Sequence, residues 1–244
     1  MRIFGIHLEN LPQEELLTRF REWLTSDGFH RIATVNPEFL LQAKHDAVFA
    51  KNLQAADARI IDGFGIVVAG WLRGESLCRF PGADLLTWFL AYAEKNEYVV
   101  GLAIRQDGLS SYEDIRQALL IRYPRLQITG GEIDDSYSLS RGTGGLSLGN
   151  LHSAKMVFCN FGAPEQEYFV EQLRNEPESI SLTMGVGGSF DYLTKRLHRA
   201  PTWMRAFGLE WLWRLIQQPQ RLRRIWRATG VFLYQSLVNN QNET

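Results

Sequence analysis

Hydrophobic and polar positions along the chain follow two different periods in turn. Short apolar runs predict strands, and apolar residues spaced three or four apart predict helices. The predicted strands are residues 2–8, 30–35, 59–61, 98–104, 126–129, 155–160 and 180–186, and the predicted helices are residues 12–23, 39–56, 66–72, 83–95, 112–122 and 165–173. This alternation predicts an α/β fold with a mainly parallel sheet and helices on both faces.

The carboxyl ends of these strands are where a ligand site is expected. Open parallel sheets bind ligands beyond that edge, which brings residues 34–37, 62–63, 105–108, 161–164 and 185–188 onto one rim. Residues 130–150 are rich in Gly and Ser with little periodicity. We expect them to form a long functional or mobile loop.

Charge is unevenly distributed, although the 244 residues carry 26 Lys and Arg against 27 Asp and Glu, a net charge of −1. Residues 195–227 hold nine basic residues and one acidic residue, or +8, which leaves 17 basic and 26 acidic residues, or −9, elsewhere. Four of the seven tryptophans lie in the same stretch. The balanced total argues against a nucleic-acid binder. The basic, tryptophan-rich stretch is typical of a contact with an anionic membrane surface, and a solvated charged face is the alternative.

Composition also bears on the compartment and on metals. Two cysteines are too few for a disulfide framework. The amino-terminal residues lack the apolar run of a signal peptide, and no 18-residue apolar stretch occurs. We therefore expect a cytoplasmic protein. The five histidines have no metal-ligand spacing, so neither a metal nor a cofactor is predicted.

Six short motifs follow one another from about residue 34 to the basic stretch. They are Thr34-Val35-Asn36-Pro37-Glu38, Ile61-Asp62-Gly63-Phe64-Gly65, Gly82-Ala83-Asp84, Gly162-Ala163-Pro164-Glu165-Gln166-Glu167, Gly185-Val186-Gly187-Gly188-Ser189-Phe190-Asp191, and Arg199-Ala200-Pro201 continuing to Gly208-Leu209-Glu210-Trp211. Each is weak alone, but the ordered set resembles the WecG/TagA/CpsF family of bacterial glycosyltransferases. The resemblance implies a Rossmann-like catalytic domain over residues 1–194 and a C-terminal helical, membrane-facing appendage over residues 195–244.

The resemblance also implies a reaction. It is the inverting transfer of a sugar from a UDP-sugar to a saccharide on a polyprenyl diphosphate, at the inner face of the cytoplasmic membrane, for bacterial surface polysaccharides. N-acetylmannosamine, its uronic acid and glucose stay open as the sugar, and the oligomeric state stays open too. The alternative is a non-catalytic module of a membrane assembly that binds a nucleotide-sugar or a lipid diphosphate.

Inverting transfer needs a base for the acceptor hydroxyl and positive charge for the leaving diphosphate. Asp62 ends a buried strand and matches the family's catalytic aspartate, so we expect it to be the base; its spacing also fits a cap of the helix that begins near Gly63. Thr34 and Asn36 match pocket residues of the family and are assigned to orienting substrate hydroxyls. Asn36 could equally cap the helix that begins at Pro37.

The substrate-binding assignments fall on glycines, a glutamine and arginines. Gly185, Gly187 and Gly188 join a strand to a helix, which suits a diphosphate at a helix N-terminus or simply a tight turn. Gln166 is expected to contact the uracil or the ribose.

Arg105 stands where the family usually has a Gly-Gly turn, and it is expected to supply a charge-assisted hydrogen bond to phosphate instead. The arginines of the basic stretch are assigned to the diphosphates; they are Arg199, Arg205, Arg214, Arg221 and Arg224. Pro219 is expected to divide this stretch into two helices.

Overall fold

The computed structural model of the chain describes residues 1–133, 148–175 and 179–239, and it omits the side chains of residues 148, 149, 221, 223, 224 and 239. The strands are β1 (Arg2–Ile3), β2 (Ile6–His7), β3 (His30–Val35), β4 (Ala58–Ile61), β5 (Val99–Arg105), β6 (Gln127–Ile133), β7 (Met156–Cys159) and β8 (Leu182–Gly185). The helices before residue 195 are α1 (Gln13–Thr25), α2 (Pro37–His45), α3 (Ala47–Gln54), α4 (Phe64–Leu72), α5 (Gly82–Lys95), α6 (Tyr112–Arg122), α7 (Glu165–Gln172) and α8 (Phe190–Leu193). Those after it are α9 (Thr202–Ala206), α10 (Glu210–Gln217), α11 (Leu222–Trp226) and α12 (Phe232–Asn239).

Six of the described strands form one parallel sheet in the order β4-β3-β8-β7-β5-β6. In its register Val35 lies opposite Ile61, and Cys159 lies opposite Gly185. The strands therefore end together, and the segments that follow them share one edge. The predicted Rossmann-like α/β fold is confirmed.

Apolar side chains cover both faces of the sheet. On β7, Met156 and Phe158 join a core cluster with residues of α1, α5 and α6, while Val157 and Cys159 join a cluster on the other face with residues of α7. Burial on both faces explains why the strands read as continuous apolar runs rather than as an alternation.

Two predicted elements are interrupted. A single strand over residues 2–8 is wrong, because β1 and β2 form an antiparallel hairpin whose turn holds Phe4 and Gly5 at φ 48° and 76°. A single helix over residues 39–56 is also wrong. The Asp46 side chain accepts the backbone N–H groups of Val48 and Phe49, so it ends α2 and caps α3.

The predicted loop over residues 130–150 is shorter than expected at both ends. Strand β6 continues through Ile133, paired with Arg105, and residues Leu148–Leu151 form a 3₁₀ turn. The rest of this predicted loop, residues 134–147, lies outside the described residues.

The C-terminal region begins as the sequence predicts and ends differently. Helices α10 and α11 are separated at Pro219, as predicted. A π-helical turn, Arg227–Val231, then leads into α12, where Phe232 is fully buried in the same cluster as residues of α2 and α4. The last helix thus belongs to the core of the sheet domain, although the proposed boundary at residue 195 separates them. Among the described residues, no helix is both long and apolar enough to cross a membrane.

Candidate active site

A cleft of about 650 Å³ opens along the carboxyl edge of the sheet. This size is ordinary for a small-molecule site. Its walls include eight residues that the sequence predicted for the site, namely Thr34, Asn36, Asp62, Arg105, Gln166, Gly187, Gly188 and Arg214. Arg214 comes from α10, so the C-terminal region forms part of the wall.

Asp62 is held at the floor of the cleft by two strands and one helix. It follows β4 directly, and its N–H donates to the Val35 carbonyl at 2.9 Å. Its Oδ1 accepts the N–H of Gly82, the first residue of α5, at 2.7 Å. The alternative that Asp62 caps α4 is wrong, since Gly63 is the N-cap there and has no side-chain cap.

The surroundings of Asp62 raise its pKa above that of an ordinary aspartate. Burial is the largest influence, and the Glu210 carboxylate raises the pKa further. The Arg79 guanidinium, the Gly82 N–H and the Arg214 guanidinium lower it without cancelling the effect of burial. A carboxylate with a raised pKa accepts a proton more readily, which suits a general base.

Thr34 and Asn36 lie beside Asp62 at the end of β3. Asn36 Oδ1 accepts the N–H groups of Glu38 at 2.9 Å and Phe39 at 3.2 Å, so the helix-cap alternative is confirmed. Thr34 is buried, and its Oγ1 donates to the Gly185 carbonyl at 3.4 Å. Both residues line the cleft and hold neighbouring segments in place.

Gln166 ties two glycine turns together. Its buried Oε1 accepts the N–H groups of Gly162 and Gly187, both at 3.2 Å, and its Nε2 donates to Glu167 at 3.1 Å. Gly185 packs against this side chain, since a Cβ there would come within 2.4 Å of Gln166 Nε2. It is not part of the described lining of the cleft. The expected contact of Gln166 with uracil or ribose stays a prediction.

Arg214 approaches the second glycine turn closely. A Cβ on Gly188 would lie 2.6 Å from Arg214 Nη2, so a larger residue there would require the guanidinium to move. The Arg214 guanidinium carbon lies 5.7 Å from the centre of the Tyr192 ring. Its Nε is buried and has no hydrogen-bond partner among the described residues. A cation beside a glycine turn that follows a parallel strand is an arrangement that binds anions.

Arg105 lines the cleft with its charge partly compensated. Its N–H donates to Asn160 Oδ1 at 2.7 Å, and its Nε donates to Asp107 Oδ1 at 2.7 Å. The guanidinium lowers the pKa of the exposed Asp107. The turn that replaces the family's glycines is thus held by its own arginine–aspartate pair.

Arg199 and Arg205 form ion pairs outside the described lining of the cleft. Arg199 pairs with Asp84 at 2.6 Å and with Glu210 at 3.6 Å, and Arg205 lies 3.6 Å from Asp84. Within the described residues, neither lines the cleft. The side chains of Arg221 and Arg224 are outside the described part, so their assignment stays a prediction.

Sequence reasoning missed Arg79 and Tyr192 as lining residues and gave Glu210 no role. Arg79 precedes α5 in a loop without a recognisable pattern, and its Nη2 lies 3.3 Å from Glu210 Oε2. Glu210 lies in the last of the six motifs, in Gly208-Leu209-Glu210-Trp211, and this position was the sequence feature that could have indicated a role. Tyr192 contacts Arg214, and burial raises its pKa. In the described ranges, no three His, Cys, Asp or Glu side chains are grouped so that they could hold a metal ion.

A parallel α/β sheet with a glycine turn and a charged cleft at its carboxyl edge is the layout of a Rossmann-like protein, a class that binds its ligands at that edge. Comparison with known proteins narrows the class. The family model described as "Glycosyl transferase WecG/TagA/CpsF family" matches residues 1–243. The chain belongs to this family, as the motifs indicated, and it is a glycosyltransferase.

Curated relatives cover most of the chain. It is 31% identical over 227 residues to the N-acetylglucosaminyldiphosphoundecaprenol N-acetyl-beta-D-mannosaminyltransferase of Bacillus subtilis (strain 168), covering 89% of this chain and 86% of that protein. The proteins of the same name from Bacillus spizizenii and from Staphylococcus aureus (strain MW2) are 30% and 25% identical. They cover 80% and 95% of this chain, and 74% and 90% of their own lengths.

Proposed function

We propose that the chain transfers N-acetylmannosamine, with inversion, from a UDP-sugar to a saccharide on a polyprenyl diphosphate in bacterial surface-polysaccharide biosynthesis. The observation that carries this proposal is Asp62 at the cleft floor, with a raised pKa and cations on two sides. The names of the relatives support the sugar, and they support N-acetylglucosamine on diphosphoundecaprenol as the acceptor. These names favour a catalyst over the non-catalytic binding module. The uronic acid and glucose are the competing donors.

The proposed chemical step uses the carboxylate oxygen of Asp62 that Gly82 does not occupy. This oxygen takes the proton from the acceptor hydroxyl, while the hydroxyl oxygen attacks the anomeric carbon from the face opposite UDP. The bond from the anomeric carbon to UDP breaks as the new bond forms. A β-linked product from an α-linked UDP-sugar corresponds to inversion, in agreement with the relatives' printed names.

The leaving diphosphate requires positive charge and N–H donors, because negative charge develops on it as the bond breaks. Arg214 and the turn at Gly187 and Gly188 lie on one wall of the cleft and are suited to this role. Arg105, which lines the cleft beside Asp107, is the further candidate. Thr34 and Asn36 lie near Asp62 and would orient the sugar hydroxyls.

Peripheral binding at the inner face of the cytoplasmic membrane completes the proposal. The C-terminal region combines its local charge of +8 with exposed tryptophans such as Trp203 and Trp226. Such a surface favours anionic lipid. Because the acceptor is anchored in lipid, docking would bring its diphosphate to the cleft.

The test is release of UDP with a short-chain polyprenyl-diphosphate N-acetylglucosamine acceptor. UDP-N-acetylmannosamine is expected to support turnover, and UDP-glucose and the uronic acid serve as competing donors. Asp62→Asn is expected to reduce kcat by about 10²–10⁴, the usual contribution of a general base. Absence of turnover with every UDP-sugar would contradict the proposal. Equal rates for the wild type and Asp62→Asn would contradict the assignment of Asp62 as the base.

A further inference from the structure

Glu210 lies where the C-terminal region meets the base, and no step of the proposed transfer uses it. It is the first residue of α10. Its Oε2 lies 3.3 Å from Arg79 Nη2, and its Oε1 lies 3.6 Å from Arg199 Nε. The three side chains are mostly buried, between 17% and 23% exposed, so their charges are weakly screened by solvent. Glu210 thus joins an arginine of the sheet domain to one of the C-terminal region.

Arg79 connects Glu210 to Asp62. Its Nε donates to the backbone oxygen of Asp62, and its Nη2 donates to Glu210. The guanidinium is therefore bound to the main chain of the base, whereas the base carboxylate accepts the N–H of Gly82. An arginine beside a carboxylate ordinarily forms a direct, often bidentate, pair with it.

We propose that Glu210 is a positioning residue that holds Arg79 on the backbone oxygen of Asp62 and keeps the guanidinium off the carboxylate of the base. The inference rests on the proposed function of Asp62 as that base. A carboxylate paired directly with arginine is a poor base, because its lone pairs are occupied and its charged form is stabilised. By binding Arg79, Glu210 leaves a carboxylate oxygen of Asp62 available to the acceptor hydroxyl.

The charged groups around Asp62 come from two directions. Arg79 comes from the loop before α5, and Glu210 and Arg214 come from α10. Burial outweighs both arginines, so the pKa of Asp62 stands above the ordinary value. Transfer of Arg79 from Glu210 to the Asp62 carboxylate would lower the pKa of Asp62.

A second set of ion pairs fixes Glu210 from the opposite side. Arg199 contacts Glu210 and also pairs with Asp84 at 2.6 Å, and Asp84 lies 3.6 Å from Arg205. Asp84 is in the first turn of α5, the helix whose first N–H binds Asp62. The network therefore links the first residue of α10 to α5, the helix whose first N–H binds Asp62.

The direct test is titration of the Asp62 carboxyl by ¹³C NMR in the full chain, labelled at aspartate carboxyl carbons. The Asp62 signal is the one lost in Asp62→Asn. Glu210→Gln is expected to lower its midpoint by about one pH unit or more, since a direct arginine pair lowers an aspartate pKa by about 1–3. In an Arg79→Gln background, the same change is expected to have a much smaller effect.

Two further variants separate positioning from charge alone. Glu210→Asp keeps the charge but shortens the reach, so we expect it also to lower the midpoint. Glu113→Gln is the matched control, because Glu113 lies in the first turn of α6 and contacts Arg116 at 3.3 Å, outside the described lining of the cleft. This control is expected to leave the Asp62 midpoint unchanged.

The outcomes distinguish the two proposals. An equal lowering with and without Arg79, or an unchanged midpoint in Glu210→Gln, would overturn the positioning role. The titration does not depend on turnover, so a wild-type chain without transferase activity would overturn the proposed function alone. Where turnover is measured, the acidic limb of the kcat profile of Glu210→Gln is expected to move to lower pH with the NMR midpoint.

Discussion

The sheet domain and the C-terminal region differ in what they do with large apolar side chains. Among the described residues, five are exposed before residue 195: Val48, Trp71, Leu72, Leu109 and Ile121. Nine are exposed after it, in a far shorter segment: Trp203, Phe207, Trp211, Ile216, Leu222, Trp226, Tyr234, Leu237 and Val238. A large exposed apolar surface usually marks an interaction site. The difference supports a division between the two regions, in which the first supplies the base and most of the cleft, and the second supplies Arg214 and the proposed membrane-docking surface.

The division is not a boundary between independent domains. Phe232 and Ser236 of α12 are fully buried, and Met204 of α9 is nearly so. The C-terminal region is therefore anchored at both ends, and α10 and α11 between them reach the cleft. For this reason point variants test the comparison better than a truncation, which would uncover the core around Phe232.

The largest expected effect separates two arginines of the C-terminal region. Arg214→Gln removes a cation from the cleft wall and is expected to lower kcat by about 100-fold, the scale of losing one donor to a developing anion. Arg227→Gln removes the same charge from an exposed position. It is expected to leave turnover on a short-chain acceptor unchanged and to weaken binding to anionic liposomes by about 1 kcal/mol. UDP release and liposome sedimentation measure the two effects, and equal effects of both variants would contradict the division.

The next effect concerns apolar contacts with lipid. Ile216, Leu222 and Trp226 are 65%, 60% and 67% exposed. Replacing all three with Gln is expected to weaken liposome binding at least about tenfold, since burying one such side chain contributes about 1.5–3 kcal/mol. Transfer to a short-chain acceptor is expected to persist.

The matched control is Ile121→Gln in the sheet domain, where Ile121 is 83% exposed on α6. It is expected to leave sedimentation with liposomes unchanged. If the triple variant sedimented as well as this control, the apolar surface would not be the docking surface.

The sheet domain was largely predictable, because its strands are buried on both faces and its helices have one apolar face. Local chemistry caused the misses. Asp46 reads as an ordinary helical residue until its side chain is seen capping α3. The hairpin at Phe4 and Gly5 depends on a turn that the weak alternation of residues 2–8 does not reveal.

The site was predictable wherever a residue follows a strand of the sheet. Asp62 and Gly187 do, Thr34 lies in the last two residues of β3, and the parallel register brings the three together. Arg79 was not predictable, because its place depends on the path of a loop and on Glu210, which is 131 residues away. Arg199 belongs to a quoted motif, yet it binds Asp84 outside the lining, since a motif does not reveal which way a side chain is paired.

A smaller effect compares two glycines, Gly185 at the end of β8 and Gly188 in the turn that follows that strand. Gly185→Ala would bring its Cβ within 2.4 Å of the buried Gln166 side chain, and overpacking of this kind costs about 1–3 kcal/mol of stability. Gly188→Ala would meet only the end of the flexible Arg214 side chain and Asp191 Oδ2 at 3.3 Å. We expect a lower Tm for the first variant, and a lower kcat with little change in Tm for the second. If Gly188→Ala lowered Tm and left kcat unchanged, the close approach of Arg214 to Gly188 would not contribute to turnover.

The smallest expected effect is on stability at the base itself. The pKa of Asp62 is raised in the folded chain, so its contribution to stability is complete below the unfolded pKa and is lost as pH rises through the folded value. Asp62→Asn removes the charge and is therefore expected to raise Tm at pH 7, measured by thermal unfolding. Its advantage should vanish below about pH 4, where aspartate is protonated in both states.

Asp107→Asn is the control with the opposite sign. The pKa of Asp107 is lowered by the hydrogen bond from Arg105, so its contribution is present above the unfolded pKa and is lost as pH falls through the folded value. This variant is expected to lower Tm at pH 7, because it removes the favourable pair with Arg105. The decrease should be slight, since solvent screens an exposed pair. A Tm of Asp62→Asn at or below that of the wild type at pH 7 would mean that the charged base is not strained. The sheet domain would then hold its catalytic carboxylate without loss of stability.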